Sequence, residues 1–260
     1  MKSMKKIVQI LLVIALVVGA AQSVSATSYA ESMYYPLWKL STYEYWSASY
    51  LSPGTVIVVR PGYSWSVTKY SSAERMVTSN SVRTIVLPGV GSSSRGAAAM
   101  AKLVANELGQ SVAAVVTGRG DWTTMTEGLE GYWIGRSSNL LQTYYSNSAS
   151  YKLYSMYRNG ARPYRLIGHS KGSFDAINAL FRLKNEGRSS YFSQTTFISF
   201  GLGLFVPAGL HGNRQYEGTL DTLGATNNTT IRYITPVIGS GHSLNTLMPI
   251  AMSVRNRLYY

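Results

Sequence analysis

The chain has no cysteine at all. That absence excludes a disulfide framework, a thiol nucleophile, cysteine metal sites and a lipid-modified cysteine, so stability has to come from an ordinary core. Acid is scarce as well: 11 Asp and Glu stand against 24 Lys and Arg, for a formal charge of +13. Only three aspartates occur in 260 residues, Asp121, Asp175 and Asp221, and only three histidines, His169, His211 and His242. Any imidazole base working near neutral pH therefore comes from a set of three. There is no internal repeat. The one long apolar run, "ILLVIALVVGAA", is 12 residues long, short of the roughly 18 to 20 that cross a bilayer.

What surrounds that run gives it a meaning. Lys2, Lys5 and Lys6 precede it and "VSA" ends at Ala26, the pattern of a secretory signal peptide over residues 1–26, cleaved after Ala26. The expected destination is secreted or periplasmic. Without the three leader lysines the charge is still about +10, carried by side chains scattered from Lys39 to Arg257. Scatter points away from nucleic acid; the balance fits either a basic, soluble exported protein or one attracted to anionic surfaces such as phospholipid headgroups. Residues 27–80 are dense in Tyr and Trp before and around a strand, "TVIVVRPG"; such aromatics cover a core edge or grip a ligand.

From residue 81 to 260 the chain alternates strand and helix. "VRTIVLPG", "SVAAVVTG", "YRLIG", "TTFISFG" and "TIRYITPV" read as strands. "SSSRGAAAMAKLVANELG", closed by Gly109, "RSSNLLQTYYSNSASYKLYSMYRNG" and "FDAINALFRLKNEG" read as helices. A loop of nearly thirty residues separates the last two strands. This alternation predicts the α/β class: a mostly parallel, doubly wound sheet in a single domain, to which residues 27–80 add the first strands. Ligands of such sheets sit beyond the carboxyl ends of the strands.

One of those ends carries "GHSKG". Gly168 and Gly172 bracket Ser170 where a buried strand turns abruptly into a helix, a place with no room for side chains on either glycine. The turn lifts the hydroxyl above the sheet edge and aims the helix N-terminus at an incipient oxyanion. Here the sequence resembles the α/β-hydrolase family, and within it the lipases and esterases, whose nucleophile elbow commonly reads GHSxG. The resemblance covers about residues 81–247. It implies Ser170 as nucleophile and two backbone N–H donors, those of Lys171 and of Val90 in "LPGVG", where Pro88 stands in the place of a common histidine.

The resemblance also implies a base near the C-terminus, reached in the order serine, acid, histidine. His242 in "GSGHSLNTL" fits that order. His211 is the other candidate, and His169, inside the turn, reads as a packing or hydrogen-bonding residue. The acid is the open position, because "RYITPVIGSGH" holds Thr235 and Pro236 where a carboxylate is expected. Asp221, Glu217, or a serine–histidine dyad braced by Thr235 or a backbone carbonyl remain the choices. Asp175 is expected to point away along its helix.

Residues 119–136, with Trp122, Met125, Leu129, Tyr132 and Trp133, form a glycine-punctuated loop, either a lid over an acyl site or a surface excursion. The "RGD" at 119–121 is a short match that chance supplies often, and the "NNTT" at 227–230 fits a glycosylation acceptor, relevant only in a eukaryotic source. No metal-ligand spacing is present, and no cofactor or metal is implied. The expected activity is an acyl-enzyme hydrolysis of carboxylic esters, with lipid or other acyl esters as substrates. Rival readings are a binding or adhesion protein on a hydrolase scaffold, and an acyltransferase or amidase.

Overall fold

The computed structural model describes residues 31–120, 147–222 and 234–259. The expected signal peptide, most of the loop at 119–136 and the tetrapeptide at 227–230 lie outside the described residues. Eight strands make one sheet: β1 Val56–Val59, β2 Thr68–Lys69, β3 Thr84–Leu87, β4 Val112–Val115, β5 Arg165–His169, β6 Thr196–Phe200, β7 Gly212–Gly218 and β8 Ile234–Val237. Their order is β2-β1-β4-β3-β5-β6-β7-β8. From β4 to β8 every pair is parallel, while β1 runs antiparallel to both β2 and β4. The mostly parallel α/β sheet expected from the alternation is what the chain forms, and β1 and β2 belong to it.

Period-two burial explains the two layers. Ile57, Val59, Val86, Val112 and Ala114 face one core with helix α3 Ser94–Leu108 and residues from the Tyr/Trp-rich segment, including Tyr35, Leu40 and Leu51. Their neighbours Val56, Val58, Ile85, Leu87, Ala113 and Val115 face the other core. That second core is closed by helices α2 Tyr70–Thr78, α4 Ser148–Arg158 and α5 Lys171–Asn185. Alternate side chains of one strand point to opposite faces, so four apolar residues in a row serve both layers. Each Val, Ile or Leu among them contributes roughly 1.5–3 kcal/mol when fully buried.

Helix α3 begins and ends as its sequence dictates. Gly109 closes it in the left-handed conformation, φ 63°. At its start the Glu31 carboxylate, from a helical turn at 31–34, accepts from the Ser93 and Gly96 backbone N–H groups at 2.6 and 2.8 Å. Burial raises the Glu31 pKa above its usual value, opposed by the Ser93 and Gly96 donors. A carboxylate at this end also interacts favourably with the positive end of the helix dipole.

The main departure from the sequence reading is β7. The thirty-residue loop between the last two predicted strands contains a seven-residue strand, "GNRQYEG", paired with β6 from Thr196↔Gly212 to Phe200↔Tyr216. Its centre is anchored by Gln215, whose amide bonds the Leu204 backbone N–H and C=O at 2.5 and 2.7 Å. Polar side-chain bonding stands in for the apolar alternation that marks other strands.

Candidate active site

Ser170 sits between β5 and α5 with φ 50° and ψ −127°. A non-glycine residue held there costs on the order of 1–3 kcal/mol and persists only where its surroundings fix it. The surroundings do so from both sides. The Ser170 N–H donates to the Phe200 carbonyl of β6, and its own carbonyl accepts from the Ser173 N–H, both at 2.9 Å. A Cβ on Gly168 would lie 2.2 Å from Ser173 Cα, and one on Gly172 would lie 2.1 Å from the Leu87 carbonyl oxygen. Both glycines are therefore required by close approach of backbone to backbone, as the spacing around the serine predicted.

The helix that follows presents its first N–H, that of Lys171, at the serine. The Lys171 side chain turns inward: its Nζ meets Asp175 Oδ2 at 2.9 Å, with both side chains buried, and Asn147 donates to Asp175 Oδ1. Asp175 is thus occupied within the helix layer, away from the serine.

Beyond β3 the loop Pro88, Gly89, Val90 comes against the turn. A Cβ on Gly89 would stand 2.9 Å from Ser170 Cβ. The Gly89 N–H is taken by the Tyr35 hydroxyl at 2.7 Å. No acceptor among the described residues takes the next amide, that of Val90, and Gly91 follows at φ 73°.

The two remaining strand ends bring an acid and an imidazole together. Asp221 follows β7 and His242 follows β8; Nδ1 of the ring is 2.7 Å from Asp221 Oδ2, whose side chain is fully buried. A carboxylate oxygen only accepts, so Nδ1 carries the proton and Nε2 keeps the lone pair a general base needs. The loops are laced to each other: the Leu220 N–H donates to the Ser240 carbonyl at 2.9 Å and the Thr219 N–H to the Val237 carbonyl at 3.0 Å. Gly201, directly after β6 at φ 73°, lies under the pair; a Cβ there would be 2.8 Å from the His242 ring and 3.3 Å from Asp221 Oδ2. Glu217, the other carboxylate candidate, lies inside β7, and Thr235 is exposed in β8.

His169 connects these parts. Its Nε2 lies 2.8 Å from the His242 backbone carbonyl and its Nδ1 lies 2.6 Å from the Tyr35 hydroxyl. The carbonyl can only accept, so Nε2 bears the hydrogen, Tyr35 donates to Nδ1, and the Tyr35 oxygen accepts from Gly89. One neutral chain of bonds thus ties the loop after β3 to the residue after β8. Complete desolvation, with a lesser contribution from His242, lowers the His169 pKa from 6.5 to about 3. Between those values an unfolded chain takes up a proton that the folded one refuses. The stability this ring contributes is therefore whole above pH 6.5 and drains as pH falls toward 3, at up to about 1.4 kcal/mol per pH unit. Urea midpoints measured from pH 7 to pH 3 should fall less steeply for His169→Gln than for the wild type. Equal slopes would contradict this assignment.

His211 is at the other edge of the sheet. Its N–H bonds the Thr195 carbonyl at the start of β6, whereas Ser170 pairs with Phe200 at the end of that strand. It lines a separate cavity of about 360 Å³ with Tyr164, Arg165 and Leu258. Of the histidines, His242 alone has a carboxylate partner at hydrogen-bond distance among the described residues. Tyr35 has no signal in the sequence: it is one of 20 tyrosines, in a segment whose position over the site emerges only in three dimensions. No protein-family model matches the chain, and no curated protein matches it.

Proposed function

We propose that the protein is a serine hydrolase of α/β-hydrolase type that cleaves carboxylic esters, with lipid or other acyl esters as substrates. The observation that carries this reading is the strained Ser170 at the end of β5, with the Asp221–His242 pair at 2.7 Å beyond the ends of β7 and β8 and over Gly201 at the end of the intervening β6. A hydroxyl is a poor nucleophile until a base takes its proton, and an imidazole whose Nδ1 is held by a buried acid is such a base.

In the reaction Ser170 Oγ attacks the ester carbonyl carbon and its proton passes to His242 Nε2. The N–H groups of Val90 and Lys171 stabilise the oxyanion. His242 then gives the proton to the departing alcohol as the C–O bond breaks, leaving an acyl-serine. Water repeats the sequence, with its proton going to His242 and then back to Ser170 as the acid leaves. Exposed apolar side chains on loops beyond the same strand ends, Phe205, Ile238, Leu247 and Ile250, favour an acyl group over a polar one. The rival reading, a binding protein without turnover, draws on a missing acid and on the Tyr/Trp-rich N-terminal segment; the Asp221–His242 contact supplies a candidate acid and so favours the hydrolase.

The test is hydrolysis of p-nitrophenyl esters of rising acyl length by the wild type and by His242→Ala. The wild type should turn them over and the variant should lose about 10⁶-fold in kcat. No turnover of any ester by the wild type would overturn the reading. Gly201→Ala should separately lower kcat by about 100-fold, because displacing the imidazole by a fraction of an ångström misaligns proton transfer. Its far-ultraviolet circular dichroism should be unchanged, and wild-type activity in this variant would contradict the placement of the pair over Gly201.

A further inference from the structure

Outside the site, the most unusual surface is aromatic. Helix α1, Thr42–Ser47, shows Tyr43 and Trp46 to solvent at a spacing of three, so they share one face. Tyr43 packs on Trp65 at 4.5 Å between ring centroids and Tyr63 on Trp65 at 5.4 Å. Tyr63 lines a shallow cavity of about 420 Å³ with Trp38, Lys39 and Ser41. Tyr63, Trp65 and Trp46 are each more than 60% exposed, an arrangement a monomeric surface does not maintain for stability.

The charges around these rings are of one sign. Lys39 lies over Trp38, Lys69 beside Tyr70 and bonded to the Ser47 carbonyl, and Arg95 against Tyr45 and Trp46; Arg60 is exposed nearby in sequence to Tyr63. All three carboxylates of residues 27–80 are engaged: Glu31 caps α3, Glu44 is buried in a 2.7 Å pair with Lys102, and Glu74 is paired with Lys152 at 2.8 Å. Beyond residue 80, Glu107 on α3 is half-buried. A neutral glycan would want several exposed carboxylates and amides for its hydroxyls, whereas the cavity offers the single amide of Asn106, whose Oδ1 already accepts from the Gly62 N–H at 2.8 Å. Exposed Trp and Tyr rimmed by Lys and Arg instead match the headgroup region of a membrane carrying negative charge.

We propose that the face formed by Trp38, Tyr43, Trp46, Tyr63 and Trp65 with Lys39, Arg60 and Lys69 docks the protein on an anionic phospholipid surface. The face is joined to the candidate active site. Trp38 Nε1 and the Leu247 N–H both lie at Asn245 Oδ1, at 3.4 and 3.1 Å, three residues beyond His242. Docking would bring the loop carrying His242 to the lipid boundary. The docking itself does not require that Ser170 be a nucleophile.

Co-sedimentation of the full chain with phosphatidylglycerol-containing vesicles and with pure phosphatidylcholine vesicles tests it; residues 1–30 are common to every variant. Three cations near an anionic surface should give about a 100-fold preference for the charged vesicles at low salt. Lys39→Glu/Arg60→Glu should lower that preference at least tenfold, and Trp46→Ala/Trp65→Ala should weaken binding by roughly tenfold or more. Ser170→Ala should bind as the wild type does, which separates this proposal from the hydrolase reading. Equal binding to both vesicle types, or wild-type binding by both double variants, would overturn it. So would retention on a neutral polysaccharide that is lost in Trp46→Ala/Trp65→Ala without any vesicle binding.

Discussion

Asp221→Asn is expected to lower kcat by about 10⁴-fold, some 5.5 kcal/mol of transition-state stabilisation, with KM little changed. The substitution preserves shape but offers an amide where the ring needs a carboxylate. An Asn that turns its NH₂ toward His242 forces the proton from Nδ1 to Nε2, and the lone pair that should receive the Ser170 proton is lost. An Asn that turns its oxygen inward keeps the tautomer but gives no countercharge to the imidazolium. Asp221 Oδ2 is 2.7 Å from Nδ1 and the side chain is fully buried, so water cannot replace it readily. Thr235, the alternative brace considered from the sequence, is exposed in β8, and Thr235→Val should leave kcat within about threefold. Steady-state kinetics on a soluble ester check both; a Thr235→Val loss larger than that of Asp221→Asn would reverse the assignment.

The second large effect is on the fold. Gly172→Ala puts a methyl group 2.1 Å from the Leu87 carbonyl oxygen and 2.4 Å from that of Pro88. Neither atom can rotate aside, because both belong to the backbone at the end of β3, whose next residue presses on Ser170. Relief requires α5 to lift from the sheet, and α5 contributes Phe174, Ile177, Leu180 and Phe181 to the second core. Overpacking of an ordinary core costs 1–3 kcal/mol; against rigid backbone the cost should be about 3 kcal/mol or more, lowering Tm by about 10 °C. Thermal unfolding followed by circular dichroism measures it. A variant that melts within about 2 °C of the wild type would mean that helix and strand are not in contact there.

Glycines around the serine were legible in the sequence because their reason is local: a strand, one turn and a helix leave only hydrogen-sized gaps. The parallel sheet was legible for a similar reason, since apolar runs such as "VIVV" and "TIVL" must be covered on both faces. The acid was harder. With "GNRQYEG" taken as loop, Asp221 appeared stranded and the strand before His242 appeared to lack its carboxylate. Once β7 is recognised, Asp221 follows the penultimate strand by three residues. That strand is hidden because its central contact is made by the Gln215 amide and because Gly212 and Gly218 sit at its ends. Gly218 is itself forced by a neighbour distant in sequence, as a Cβ there would be 2.1 Å from the Ser240 carbonyl oxygen. Tyr35 and Glu31 were invisible for the same physical reason: each acts across more than fifty residues, on Gly89 and Gly96.

The direct measurement is covalent. Incubation with a fluorophosphonate, followed by intact-mass and peptide mass spectrometry, should give one adduct per wild-type chain, located on Ser170, and none on Ser170→Ala. An unlabelled wild type, or an adduct that persists in Ser170→Ala, would contradict the proposal that this serine is a nucleophile.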